Sequence, residues 1–376
     1  MKARGIVLRL HLGVGVVTGG VLLLLSVSGA VLVFRSELDQ ALYGSRTSET
    51  PGGALVPLQA LLDAARRRHP TFELTGLVLP DNGRRPARVG MTDPSGGELD
   101  VLVDPHTGEV LASHWVARSP LYALRVLHAE LYLGPRGGLV VGVLGLWLLL
   151  QGATGLYLWW PFLKRPAWGF TIRWGRRLPI ITYDLHKTLG AASLAFNIPI
   201  ALTGAVLGFA ALSDPATRVA VTPAVSTVRS GLTPLGLDAV TRHADRVLPG
   251  GRMVSIALPR HPRGVVTVRK RLPGDIDPRG GSMIWLDPYT GGILGVSDGR
   301  RAPVGERLWA VVTTVHYGDF AGTASKVLYL TGGLTAAALL LSGYGTWLTR
   351  PRSRAAQGAG ERLPALSGDG AGRPTS

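Results

Sequence analysis

The chain has 376 residues, 46% of them hydrophobic, no cysteine, and a formal charge of +16 with a mean hydropathy of +0.24. Hydropathy this high argues against two or three soluble domains and for a membrane protein. The lack of cysteine excludes disulfides, thiolate zinc, iron–sulfur clusters, Cys nucleophiles and covalent c-type haem, which leaves histidine and carboxylates as routes to a metal or redox centre.

Residues 1–9 are a short basic N-terminus with Lys2, Arg4 and Arg9. Four stretches without Asp, Glu, Lys or Arg follow along the chain: Leu10–Phe34, Gly137–Leu163, Thr188–Ser213 and Val327–Thr349, of 25, 27, 26 and 23 residues. A spanning helix needs about 20 apolar residues, so these predict transmembrane helices at 10–34, 137–163, 188–213 and 327–349. Their glycines are compatible with helix, because small residues let membrane helices pack closely. The first stretch exceeds the ~7–15 apolar residues of a signal peptide and reads as an uncleaved anchor.

Residues 35–136, between the first two helices, predict a small α+β module. Leu58, Leu61, Leu62 and Ala65 fall on one face of a helix over Pro57–His69. Strand-like runs follow at Leu74–Leu79, Ala87–Met91 and Leu99–Val103, and Asp104-Pro105-His106-Thr107-Gly108 makes a turn before Glu109–Ala112. Residues 164–187 are a basic link. Residues 214–326 predict a second module, with a helix at Leu235–Val247 and strands at Met253–Ala257, Val265–Lys270 and Met283–Leu286. Residues 350–376, rich in Gly, Ala, Pro, Ser and Arg, predict a disordered tail.

The charge follows this division. Segments 1–9, 164–187 and 350–376 together carry +11, segment 35–136 carries −1 and segment 214–326 carries +6. Basic residues in short segments beside the helices mark the cytoplasmic side. Both termini and the link are therefore expected in the cytoplasm, and the two large segments outside. The charge records topology and calls for no nucleic-acid partner.

The halves resemble each other. Asp104-Pro105-His106-Thr107-Gly108 matches Asp287-Pro288-Tyr289-Thr290-Gly291. His11 matches His186, His128 matches His316, and Ser28-Gly29 matches Thr203-Gly204, in the same order. Each unit reads as helix, external module, helix. Both units start on the same side, so the expected repeat is parallel, with a pseudo-two-fold axis along the membrane normal.

Nine histidines are present. His69, His106, His114, His243 and His261 sit among Pro, Arg and turn residues and read as solvated surface groups. The other four lie at membrane faces: His11 and His186 at the inner face, His128 and His316 at the outer. A single interface histidine is as readily a cap or an amphipathic residue. Pairing favours ligation, because a two-fold axis sets His11 opposite His186 and His128 opposite His316. Two opposed imidazoles in a helix bundle suit a bis-His b-type haem, whereas zinc wants a third or fourth ligand. Glu130 and Asp319 lie near the outer pair only, and Arg9 and Arg125 are candidates to meet haem propionates.

Arg9-Leu10-His11, Ser28-Gly29, both Asp-Pro-x-Thr-Gly turns and Leu127-His128 continue into Thr154-Gly155-Leu156-Tyr157-Leu158-Trp159-Trp160-Pro161. Tyr183-Asp184-Leu185-His186-Lys187, Thr203-Gly204 and His316-Tyr317-Gly318 complete a set that covers nearly all of residues 5–350. In this order the set resembles the PepSY-associated transmembrane family, also called iron-regulated membrane proteins. The resemblance implies a membrane α-helical fold with four transmembrane helices and two extracytoplasmic α+β PepSY-like domains. It also implies two b-type haems held by His11, His186, His128 and His316, in a multi-pass protein of the bacterial cytoplasmic membrane. Family members include siderophore-linked ferric reductases.

The leading expectation is therefore outward electron transfer. Electrons enter at the inner pair, leave at the outer pair and reach an external acceptor such as a ferric siderophore or another ferric chelate. The +6 of the second module would steer an anionic chelate. No GxGxxG fingerprint is present, so the donor is expected to be a separate reductase, a reduced carrier or a quinol. The alternative is a non-catalytic anchor whose external modules bind a peptide, an envelope protease or a cell-wall component. A chelate transporter ranks last, with Asn197 and Pro199 as its only mid-membrane hints. No H-E-x-x-H metalloprotease motif is present.

Overall fold

The computed structural model describes residues 3–43, 54–81, 85–210, 234–261 and 263–349. The tail 350–376 and residues 211–213 of the third predicted helix lie outside the described residues. The helices are α1 (Ala3–Leu32), α2 (Arg35–Tyr43), α3 (Leu58–Arg68), α4 (Pro120–Glu130), α5 (Pro135–Trp159), α6 (Pro166–Gly169), α7 (Leu178–Ala210), α8 (Leu237–Val247), α9 (Val304–Tyr317) and α10 (Gly322–Leu348). The strands are β1 (Glu73–Val78), β2 (Ala87–Thr92), β3 (Glu98–Val103), β4 (Val110–Trp115), β5 (Arg252–Ala257), β6 (Val266–Arg271), β7 (Ser282–Leu286) and β8 (Ile293–Ser297).

Among the described residues, four helices are long and apolar enough to cross a membrane: α1, α5 with its 3-10 extension to Lys164, α7 and α10. They form a closed ring in which α5 packs on α7, α7 on α10, α10 on α1 and α1 on α5. Small residues set the closest crossing. A Cβ added to Gly208 would lie 2.5 Å from the Gly142 nitrogen and 2.6 Å from the Gly138 oxygen, so α5 and α7 meet backbone to backbone. Leu24, Leu146, Leu202, Leu334 and Leu341 point outward and are exposed, as lipid-facing residues must be.

The spans start earlier than uncharged sequence alone predicts. α7 begins at Leu178 rather than Thr188 because its acid is neutralised. Asp184, fully buried, accepts from Arg173 Nε at 2.8 Å and from Lys187 Nζ at 3.2 Å. α1 begins at Ala3, so His11 lies about two turns inside it rather than at its start. Arg4 reaches across to donate to the Leu158 carbonyl at 3.0 Å.

His128 and His316 precede the spans α5 and α10. Each sits near the end of a short helix of its own, α4 or α9. α4 packs on α1 and α5, and α9 packs on α7. Leu131 and Tyr132 separate α4 from α5 with φ of 48° and 58°. That left-handed conformation costs a non-glycine residue about 1–2 kcal/mol, and Tyr132 Oη donating to the Ala123 carbonyl at 2.8 Å helps to hold it.

The remaining chain builds one antiparallel sheet, ordered β4-β3-β2-β1-β5-β6-β7-β8. The two segments that carry the strands, one between the first and second spans and one between the third and fourth, therefore do not stand apart. They join where β1 pairs with β5, Gly76 opposite Ala257 and Val78 opposite Ser255. A Cβ on Gly76 would lie 2.6 Å from the Ile256 oxygen. On one face, α3 and α8 bury Leu61, Leu62, Ala65, Val240 and Ala244 against Leu77, Val89, Val101, Ile256, Val268 and Ile284 in a single core. The two helices cap each other. Asp238 accepts from the Leu58 and Gln59 amides at 2.8 and 3.1 Å, and Gln59 Oε1 accepts from the Leu237 amide at 2.9 Å. Amides at a helix start need such acceptors.

Both Asp-Pro-x-Thr-Gly segments are turns. Asp104 accepts from the His106 amide at 2.7 Å, and Asp287 accepts from the Tyr289 amide at 2.8 Å. Gly108 and Gly291 supply the positive φ, 74° and 69°. This is Asx-turn chemistry. β4 and β8 leave these turns, and β8 is a strand that the sequence reading did not predict.

Candidate histidine centres

The bundle brings the four membrane-face histidines together as two pairs. His11 of α1 and His186 of α7 have ring centroids 6.0 Å apart at an interplanar angle of 74°. His128 of α4 and His316 of α9 have centroids 6.2 Å apart at 43°. His128 also lies against Gly29 of α1, which is 18 residues beyond His11. At ~1.5 Å per residue the two pairs are about 27 Å apart along the helix, so they are separate centres.

Each ring rests on a Ser/Thr-Gly step of a neighbouring span. A Cβ added to the glycine would lie 3.3 Å from His11 Cε1 (Gly155), 2.9 Å from His128 Cε1 (Gly29), 3.1 Å from His186 Cε1 (Gly343) and 3.1 Å from His316 Cε1 (Gly204). The residue before each glycine is Thr154, Ser28, Ser342 or Thr203. Three of these hydroxyls bond the ring directly: His11 Nδ1 to Thr154 Oγ1 at 2.8 Å, His128 Nδ1 to Ser28 Oγ at 3.0 Å and His316 Nδ1 to Thr203 Oγ1 at 3.0 Å. His186 Nδ1 instead bonds the Leu339 carbonyl at 3.0 Å, the same carbonyl that Ser342 Oγ bonds at 2.9 Å. His128 Nδ1 also reaches the Leu25 carbonyl at 3.0 Å, and the Ile200 carbonyl bonds His316.

These contacts fix the tautomer. Thr154, Ser28 and Thr203 each spend their hydroxyl hydrogen on a carbonyl one turn back, Leu150, Leu24 and Pro199, at 2.7 Å in every case. Their oxygens are left to accept. A carbonyl accepts only. All four rings must therefore carry the proton on Nδ1, which leaves the Nε2 lone pair for a ligand. Burial pushes His128 and His316 down, His316 to about 4 with the neighbouring His128 adding to the effect. The outer pair is thus neutral at pH 7, as metal ligands must be.

The residues fit an axial pair. Two metal–imidazole bonds of about 2 Å, with roughly 1 Å more from nitrogen to ring centre, set trans ring centres about 6 Å apart. Both pairs have that spacing. No group of three or more His, Cys, Asp or Glu positioned to hold a metal ion occurs among the described residues. A tetrahedral zinc site would need more ligands than two imidazoles, whereas a planar macrocycle supplies its own equatorial donors.

A cavity of about 1230 Å³ adjoins the outer pair, and His128 and His316 are on its wall. It runs from the mid-bundle, at Leu148, Phe196 and Asn197, up to the sheet face turned away from the core, at Arg88, Asp100, His114 and Arg252. His11 and His186 do not line it. Asn197 Nδ2 donates within its own helix to Ser193 Oγ at 2.9 Å.

The cavity corrects one expectation. His114 is not a solvated surface group: it stacks on Tyr43 at 3.8 Å with parallel planes, and its buried Nδ1 has no hydrogen-bond partner. Burial pushes His114 down and the neighbouring Asp100 up. Other histidines of the sheet region have ordinary settings, such as His69 bonded to Ser113 at 2.9 Å and His243 bonded to the Gly291 carbonyl at 2.9 Å.

Of the arginines singled out in the sequence, Arg125 lines the cavity, paired with Glu130 at 3.2 Å, while Arg9 lies on the exposed face of α1. The sequence reading missed Arg279, which lines the cavity beside the outer pair. It sits 4.3 Å over the Tyr317 ring and reaches Asp277 at 2.8 Å and Asp319 at 4.0 Å. Ser342-Gly343 was missed as well, although the same step at 28–29, 154–155 and 203–204 was a signal for it.

Fold and site together define a multi-pass membrane protein with a soluble antiparallel sheet and two half-buried histidine pairs. The family profile described as the PepSY-associated TM region matches residues 8–350, and the chain belongs to that family. No curated protein matches the chain.

Proposed function

We propose that the protein is a dihaem b electron-transfer protein that passes electrons outward across the bacterial cytoplasmic membrane. One b-type haem is held by His11 and His186, the other by His128 and His316. The observation that carries this reading is the geometry of the pairs: ring centres 6.0 and 6.2 Å apart, with every ring held at Nδ1 so that Nε2 is left for a ligand. Haem at each pair supplies one-electron chemistry without proton transfer by the protein. The chain's own residues orient the rings through Thr154, Ser28, Leu339 and Thr203. The cavity gives the outer pair an approach from the sheet side.

The acceptor is a ferric siderophore or similar anionic ferric chelate, and the donor is a separate reductase, a reduced carrier or a quinol. The termini and the link 164–187 are cytoplasmic, supported by the basic excess of those segments. The chain is a duplicated unit with PepSY-like modules. The strand order, mirrored about the β1–β5 pair, and the matching placement of α4 and α9 support that reading.

The test is the absorption spectrum of detergent-purified protein expressed with ample haem, with and without dithionite. A reducible Soret and α-band at close to two haems per chain is the expected result. His128→Ala should drop the content to about one haem and keep the inner centre, and His11→Ala should do the reverse. A colourless wild-type protein would overturn the proposal and return the chain to the role of a binding anchor.

A further inference from the structure

From the last turns of the second span, Trp160–Lys164, to the start of α7 the chain makes a short passage, residues 160–177, that neither histidine centre uses. It joins one span to the next, so connectivity alone puts it at a membrane face. Its side chains are unusual for a surface facing water. Trp160, Trp168 and Trp174 are 62%, 66% and 67% exposed, and Leu163 and Phe170 are exposed beside them. Tryptophan is normally well buried, and exposed tryptophan is enriched at the headgroup level of membranes.

The same passage carries Lys164, Arg165, Arg176 and Arg177, all exposed and without an ion-pair partner among the described residues. No Asp or Glu occurs from residue 131 to 183. The nearest acid, Asp184, is fully buried and already engaged by Arg173 and Lys187.

The passage is also fixed in place. Arg173 grips Asp184 through Nε at 2.8 Å and Nη2 at 3.0 Å, and its own amide donates to the same carboxylate at 3.1 Å. Lys187 Nζ donates to the Trp168 and Thr171 carbonyls at 2.9 and 3.1 Å. Gly169 lets the backbone close on Trp159, whose ring a Cβ would meet at 2.6 Å. A buried charge hub therefore holds the aromatic rings and cations outward. Little ordering entropy remains to be lost when a ligand docks.

We propose that residues 160–177 form a preorganised docking surface for anionic phospholipid headgroups, with Trp160, Trp168, Phe170 and Trp174 seated among the upper acyl chains and Lys164, Arg165, Arg176 and Arg177 on the phosphates. Two features select lipid over a soluble acidic partner: the exposed rings alternate with the cations rather than forming one apolar pocket, and the passage joins two spans. This inference needs the membrane location and is independent of haem.

The test uses the full chain in detergent, titrated with phosphatidylglycerol or with phosphatidylcholine, and reads the shift in unfolding temperature together with tryptophan quenching by the brominated form of each lipid. Phosphatidylglycerol should stabilise and quench at lower concentration than phosphatidylcholine. The preference should fall about fivefold for each cation removed by Lys164→Gln, Arg165→Gln, Arg176→Gln or Arg177→Gln. It should also weaken from 0.05 to 0.5 M salt in the wild type, a readout that needs no variant to fold. Equal response to the two lipids, or an unchanged preference in the quadruple variant, would overturn the proposal and leave the face to an acidic soluble partner.

Discussion

The inner and outer histidine pairs have the same local support and opposite surroundings. Both use Ser/Thr-Gly steps, both leave Nε2 bare and both hold ring centres near 6 Å. The inner rings project from α1 and α7, two of the spans themselves. The outer rings project from α4 and α9, short helices laid against the spans. A large cavity lined by charged sheet residues adjoins only the outer rings. Local chemistry therefore fixes what each pair can bind, and the helix that carries the ring fixes what can approach it. On the electron-transfer reading, the outer centre can meet an acceptor through the cavity, whereas the half-buried inner centre lies outside that cavity.

The sharpest way to break that comparison is to fill the glycine contacts. A Cβ at Gly29 would stand 2.9 Å from His128 Cε1, closer than real Cβ contacts allow, so the ring must move. At Gly155 the corresponding distance to His11 is 3.3 Å, tight but absorbable. Gly29→Ala is expected to reduce haem content from about two to about one per chain, and Gly155→Ala to leave it near two, measured as pyridine haemochrome. Equal retention in both variants would mean that the glycines serve helix packing alone.

A smaller effect separates hydroxyl from carbonyl support. His11 is the one ring whose Nδ1 has only a hydroxyl, Thr154, as acceptor; His186 relies on the Leu339 carbonyl, and His128 and His316 have both kinds. Loss of an outer-shell partner typically costs 10–100-fold in metal affinity. Thr154→Val should therefore weaken the inner centre by roughly that factor, and Ser342→Ala, in the same centre, should leave it unchanged. Haem transfer to apomyoglobin gives the off-rates. Equal acceleration by both variants would mean that the Ser342 hydroxyl acts on His186 in some way other than through the Leu339 carbonyl.

Much of this arrangement was legible in the sequence. Long charge-free runs have no soluble use, so the four spans stood out, and repetition singled out His11, His128, His186 and His316. What escaped was set at a distance. α4 and α9 are as apolar as a span edge, and α4 is cut from α5 by Leu131 and Tyr132, whose left-handed φ no residue preference announces. The merging of two sheets depends on β1 meeting β5, an edge pairing that neither strand encodes alone. Asp184 and Lys187 hid the first ten residues of α7 because their neutralising partner, Arg173, lies outside the helix. Ser342-Gly343 was diluted by Thr18-Gly19 and Thr331-Gly332, which have the same composition and touch no histidine ring.

The smallest expected effect concerns the cavity. Asp100 lies between Arg88 at 3.5 Å and His114 at 4.0 Å, and burial holds its carboxyl above the usual carboxylate range. A raised carboxyl binds its proton more tightly in the folded chain, so its contribution to stability is full below the unfolded pKa of about 4 and is lost as pH rises through the folded value. His114 is pushed down by burial and opposed by Asp100, so its contribution is full above the unfolded value near 6.5 and falls as pH drops below it. Asp100→Asn removes the ionised carboxylate and lowers His114 further, and both effects act in the same direction. The variant should match or exceed the wild type in unfolding temperature at pH 7.5, within about 1 kcal/mol, and should lose that margin at pH 5. A margin that grows toward pH 5 would contradict the burial argument. Because Asp100 has no hydrogen bond or ring contact with any of the four paired histidines, haem content should stay near two at both pH values. A drop confined to the outer centre would show that the cavity and the outer pair form one cooperative site, which the inner pair, outside the cavity, does not share.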